Sequence, residues 1–176
     1  MLPARPLTGE PLALDLINTV WVEGRMQLDL LDSDEGARAW LKEHALSCDE
    51  ALLTAVRDHL IFVRTALRGV LEAPHEPEHR DALNGVLARG HVRHFLGEHG
   101  PEEDFEVDPA WRPAWLAAND LLTLLRTSPQ RLKKCANPQC VLHFLDTSPK
   151  NARRWHDMRT CGNRAKALRH YHRARD

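Results

Sequence analysis

The 176-residue chain has no apolar run near the ~20 residues that a bilayer-crossing helix needs, so no membrane-spanning helix is expected. Its opening, Met1-Leu2-Pro3-Ala4-Arg5-Pro6, has no continuous apolar stretch behind it, so no secretory signal is expected either. Cysteine is sparse, at 4 residues, which argues against a disulfide framework and for a reducing, cytoplasmic compartment. Catalytic signatures are missing as well. There is no His-Glu-x-x-His, no nucleophile elbow and no phosphate-cradling glycine loop. The 11 His are scattered, and His91 and His94 would be offset on a strand, so no enzyme is expected. Aromatics make up only 6% of the chain, with no pair placed as a base-stacking platform, which argues against single-stranded RNA. Internal repeats and low-complexity segments are also lacking. What is present, 43% hydrophobic and 28% charged residues, is the composition of a globular protein. The length suits one domain plus an appendage, or two small domains.

The net charge of −1 hides a split. Residues 131–176 carry 12 Lys+Arg against 3 Asp+Glu, a balance of +9, whereas residues 1–130 carry 12 against 22, a balance of −10. A compact basic end attracts polyanions over long range, and it could also dock on its own acidic body.

Helical periodicity dominates the first 130 residues. A first helix is expected over 11–22 and a second over 34–44, the latter started by Ser33/Asp34 and burying Trp40 and Leu41. Ser47 with Glu50 fits a capping box, after which Leu52, Val56, Leu60, Val63, Leu67 and Val70 form an apolar stripe that ends before Pro74. Further helices are expected over 78–88 and from Pro113 to 125 or 126. Between them, residues 91–96 and 105–107 alternate like a β-hairpin, with 97–104 as its loop. Thr127-Ser128-Pro129 marks the expected boundary, where the charge balance flips.

The chemistry-bearing pattern lies beyond that boundary. Cys135-x4-Cys140 is followed by Trp155-His156 and by Cys161-Gly162-Asn163-Arg164. A Cys3His set is a closed structural zinc site with no position for water. The Asn137-Pro138 turn would let two thiolates converge. His156 has the position of a fourth ligand, with His143 its rival. A 46-residue basic segment with little apolar content is short of a core of its own, so a metal staple is the expected solution. Residues 141–146 are expected as a strand and 147–151 as a turn. Cys161 should open a basic helix over 162–173, where the helix dipole favours a thiolate and Gly162 allows close approach to the metal. Cys48 stands alone.

Trp155, Met158 and Cys161-Gly162-Asn163-Arg164, together with Phe144-Leu145-Asp146-Thr147-Ser148 and Arg153-Arg154, resemble the CGNR zinc-finger family. That family usually has Cys after the Trp, where this chain has His156, itself a competent ligand. The run Leu12-Ala13-Leu14-Asp15-Leu16-Ile17-Asn18-Thr19-Val20 is similar to the opening of the ABATE domain that accompanies this finger. The resemblance implies an α+β chain. Its mostly helical N-terminal domain (1–128) carries a small β-hairpin, and a treble-clef-like finger (129–176) follows, in a stress-induced transcription regulator.

Candidate nucleic-acid contacts are Arg153, Arg154, Arg164, Lys166, Arg169 and Arg173, the last three sharing a helical face. Arg164, a turn from the metal, could instead brace a carbonyl. DNA is the expected partner, and one finger's small footprint of roughly 600–1,000 Å² calls for a homodimer. The alternative is a zinc-stabilised module that docks an acidic protein. In the N-terminal domain Asp15, Asn18 and Thr19 share one helical face and are candidate contacts for a small effector, with Arg38, Arg64 and Asn84 as possible neighbours. The competing reading is an internal polar network.

Overall fold

A computed structural model describes residues 2–164. The body is built on α3 (Leu53–Glu72), against which α1 (Leu12–Ile17), α2 (Asp34–Glu43), α4 (Pro77–Leu87) and α5 (Arg112–Thr127) all pack. The expected stripe is the reason, with Leu53 in the place expected of Leu52 and with Val70 only half-buried. Leu53, Val56, Leu60, Val63 and Leu67 recur every three or four residues and are all buried. Trp21, Trp40, Leu14, Leu31 and Leu121 complete the core. Each such side chain removed from water contributes roughly 1.5–3 kcal/mol before the entropy of ordering it. No helix among the described residues is long and apolar enough to cross a membrane.

Several elements start or stop differently from the pattern. The first helix ends at Ile17, and the chain turns into a hairpin of β1 (Val20–Glu23) and β2 (Met26–Asp29). Val20, Trp21 and Val22 suit a strand, and Gly24, at φ +63°, supplies the left-handed residue of a two-residue loop. The Ser47/Glu50 capping box is not formed. The Asp49 carboxylate instead accepts from the Ala51 N–H at 3.0 Å and opens a short 3₁₀ turn, Glu50–Leu52, that leads into α3. Ser33 caps α2 as expected, its hydroxyl accepting from the Gly36 N–H. Gly36 is required there, because a Cβ would sit 1.6 Å from the Leu30 carbonyl oxygen.

The second hairpin is longer than its alternation suggested. β3 (Gly90–Gly97) pairs antiparallel with β4 (Gly100–Val107) from Gly90↔Val107 to Gly97↔Gly100, so most of the expected loop is strand. After α5, β5 (Leu132–Lys134) pairs with β6 (His143–Leu145), and a single π turn, Met158–Gly162, closes the described segment.

The C-terminal segment is not a detached appendage. Leu142 belongs to the main core. The Asn18 side chain bonds both backbone groups of His143, at 2.8 and 2.9 Å. The Leu145 N–H donates to the Glu10 carboxylate at 2.8 Å, and burial raises that carboxyl's pKa although this bond opposes the rise.

Candidate metal centre

Cys135 follows β5 directly, and its N–H donates to the Leu142 carbonyl at 2.9 Å, so the ladder of β5 and β6 fixes the start of the knuckle. Within the turn the Asn137 side-chain oxygen accepts from the Gln139 N–H, and the Cys140 N–H donates to the Asn137 carbonyl. This local geometry folds Cys140 back toward Cys135. The Ala136 N–H donates to the Arg154 carbonyl at 2.8 Å, which brings in the segment that carries Trp155 and His156. Asp157 then starts the last turn, its carboxylate accepting from the Arg159 and Thr160 N–H groups, and Cys161 rides on that turn.

The donor atoms of Cys135, Cys140, His156 and Cys161 all lie within 4.8 Å of one another. A tetrahedron with bonds of about 2.3 Å has edges of about 3.8 Å, so this span suits one zinc ion with a closed shell. His156 Nδ1 is the nitrogen turned inward, 3.5 Å from Cys140 Sγ. His143 does not join the set. It is buried against the body, with Nε2 3.5 Å from a Glu72 oxygen, and burial pushes its pKa down to about 4. Cys48 lies apart, its thiol against the Asp49 carbonyl.

The electrostatics of the cluster ask for a cation. A hydrogen bond from Cys140 holds the Cys135 thiol far below its ordinary pKa, and Cys140 is pushed far above its own by that same contact. Burial raises Cys161 too, against the Asn137 amide that donates to its sulfur at 3.2 Å. Three sulfurs this close cannot all be thiolates unless a positive centre lies among them, and zinc is such a centre.

Sequence reasoning missed the supports of this cluster. Asp146 is fully buried and accepts from Lys133 Nζ at 2.6 Å, the Ser148 N–H at 2.9 Å and the Arg153 N–H at 2.8 Å. Burial alone would raise its pKa, but these donors hold it well below the carboxylate range. A brace of the kind considered for Arg164 is made by Arg153. Its guanidinium donates to the Trp155 carbonyl at 3.0 Å and to the His156 carbonyl, and it lies over the Phe144 ring. Arg153 is thereby engaged inside the segment, whereas Arg154 and Arg164 are exposed. Gly162 makes room for the Met158 side chain. A Cβ there would meet Met158 Sδ at 2.5 Å. Cys161 also sits within the terminal turn rather than ahead of it. Lys166, Arg169 and Arg173 fall outside the described residues, as does most of the expected 162–173 helix.

The effector candidates are not a pocket. Asp15, Asn18 and Thr19 are fully buried and point to separate partners. Asp15 Oδ1 accepts from Arg5 at 2.6 Å and from Trp40 at 3.0 Å, and lies 2.9 Å from His44 Nε2. Asn18 is held by His143, while the Thr19 hydroxyl donates to Leu16 and accepts from Arg64. The polar face is an internal network. Arg38 pairs with Glu50 on the surface, and Arg64 with Asp29.

A helical body with a Cys3His cluster laced into it by an antiparallel strand pair is a zinc-finger protein. Residues 10–128 match the ABATE family, described as "Putative stress-induced transcription regulator", and residues 131–174 match the CGNR zinc finger. The chain belongs to the ABATE family and carries a CGNR finger at its C-terminal end. No match is found among curated proteins.

Proposed function

We propose that the chain is a DNA-binding transcription regulator, not an enzyme, in which zinc sets the finger as a rigid platform for phosphate contacts. The observation that carries this reading is a cluster of unpaired surface cations in the segment that holds His156 and Cys161. On the body, Arg38 pairs with Glu50, Arg57 with Asp34 and Arg93 with Asp104, while Arg25, Arg80 and Arg126 are exposed and, among the described residues, have no carboxylate within ion-pairing distance. On the finger, Lys150, Arg154, Arg159 and Arg164 are exposed, and among the described residues none has a carboxylate within ion-pairing distance. The finger's buried acid, Asp146, already serves Lys133. Among the described residues, the acidic body meets the finger's Lys134 and His143 at Glu72, and that contact leaves those four cations free. Unpaired guanidinium groups on a rigid scaffold are suited to phosphate oxygens. Lys166, Arg169 and Arg173 extend the basic run in sequence. The body takes the sensing role in this reading, and two copies together supply a footprint large enough for a specific site.

The test is fluorescence anisotropy of the zinc-loaded full chain with random-sequence duplex DNA across a salt series. Binding should weaken with a log–log slope of about 0.9 per phosphate contacted. Failure to bind any duplex at low salt, with zinc in place, would overturn the reading in favour of an acidic protein partner.

A further inference from the structure

A groove of about 450 Å³ opens on the body where the hairpin of β1 and β2 meets α3 and the start of α4. Its wall is a closed pair: Arg64 grips Asp29 with two bonds of 2.6 Å. One turn further along α3, Arg68 has no such partner. Its Nη2 donates to the Ile17 carbonyl at 2.8 Å, and among the described residues no carboxylate lies within ion-pairing distance of it. Burial lowers its pKa, yet a guanidinium stays charged, so this is a half-buried cation with no directly paired anion, on which Glu72 and Asp29 act only at longer range. At the rim stands Glu72, turned toward Lys134 and His143 of the finger at 3.0 and 3.5 Å. The opposite side is His79, whose ring lies on α3 only because residue 69 is glycine; a Cβ there would be 2.2 Å from the ring. Gln27 and Thr65 also border the space.

We propose that this groove binds a small amino or hydroxy acid, its carboxylate on the Arg68 fork and its ammonium or hydroxyl facing Asp29 and Glu72. The guanidinium fork matches a planar carboxylate, the two acids disfavour a multiply charged phosphate, and the volume falls within the ~300–1,000 Å³ usual for small-molecule sites. Two routes connect the groove to the finger. Arg68 holds Ile17, the last residue of α1, and the next residue, Asn18, holds both backbone groups of His143. Glu72 touches Lys134 and His143 directly, and these two face each other across β5 and β6 beside Cys135. A ligand that draws on Arg68 or Glu72 therefore shifts the strand pair that carries the knuckle.

The test is a titration of the zinc-loaded full chain, followed by amide ¹⁵N chemical shifts, with single L-amino acids and lactate. Acetate and inorganic phosphate are the controls. At least one amino or hydroxy acid should give saturable shifts at residues 64–72 and 79 that extend to residues 143–145. Arg68→Gln and His79→Ala should each weaken that binding about ten-fold or more. His79 is half-exposed, so its variant decides the matter if Arg68→Gln fails to fold. Shifts that never saturate, saturation by phosphate alone, or wild-type affinity in the folded variants would each overturn the site. No DNA is present, so the outcome is independent of the DNA-binding reading.

Discussion

The side-chain amide of Asn18 acts as a missing strand for His143: Nδ2 donates to its carbonyl at 2.8 Å and Oδ1 accepts from its N–H at 2.9 Å. All of these groups are buried, so the bonds join the end of α1 to the first residue of β6 without competition from water. Asn18→Ala leaves two buried backbone groups unpaired and should cost about 2–4 kcal/mol in urea unfolding. Asn18→Asp keeps the acceptor but sets a carboxylate against the carbonyl, and should cost at least as much. Zinc release to a chelator should be faster in both variants. Wild-type release rates would show that the bond pair does not support the finger.

Leu142 is a second tie between the parts. It lies two residues after a zinc ligand, yet it fills the body's core at 2% exposure. Leu142→Ala should lower the stability of the whole chain by about 2–5 kcal/mol in a single cooperative transition. A chain cut after Ser128 should melt lower than the full protein for the same reason. Separate transitions for body and finger in the intact protein would contradict this account.

The buried His143 imidazole gives stability a pH dependence with a defined sign. Burial depresses its pKa to about 4, the Arg68 and Lys134 charges add to that, and Glu72 opposes them. Unfolded, the ring titrates near 6.5, so the neutral form is favoured in the fold and its contribution is complete above that pH. As pH falls from about 6.5 toward 4 the unfolded chain takes up a proton that the folded chain refuses, and about 3 kcal/mol is lost. His143→Gln should flatten that part of the profile while both proteins remain zinc-saturated. Parallel urea-stability profiles from pH 7 to 4.5 would sink the assignment.

The exposed finger cations should act as charges rather than as base readers. Arg154→Ala with Arg159→Ala should weaken duplex binding about equally on unrelated sequences and reduce the salt slope by roughly 1 for each phosphate no longer neutralised. Zinc content should not change, since neither side chain braces the knuckle. Arg153→Ala should behave differently and destabilise the finger itself, because its guanidinium holds the Trp155 and His156 carbonyls. Equal thermal stability of the two sets of variants would refute that division of labour.

The zinc cluster was legible in the sequence because its ligands must converge whatever the rest of the chain does, and the spacing of Cys135, Cys140, His156 and Cys161 carries that constraint. The α3 stripe was legible because one face of a long helix meets a continuous core. The end of α1 was not. Asp15, Asn18 and Thr19 advertise a polar face, but the sequence does not reveal that its partners are Arg5, His44, Arg64 and a backbone 125 residues away. The first half of β4 was hidden for the opposite reason, since its residues 101–104 are mostly acidic and largely exposed and leave no apolar alternation to read. Spacing favoured His156, and His143 stayed a rival only because its burial against Glu72 is a contact that no spacing rule contains.

The central claim is that one zinc ion is held by three cysteines and the histidine that follows Trp155. Zinc K-edge absorption on the purified full chain, with metal content measured on the same sample, tests it most directly. The account predicts one zinc per chain, with three sulfurs at about 2.3 Å and one nitrogen at about 2.0–2.1 Å, unchanged in His143→Gln. It also predicts that His156→Ala loses the nitrogen. A shell with fewer than three sulfurs, or a nitrogen that survives His156→Ala and disappears in His143→Gln, would contradict it.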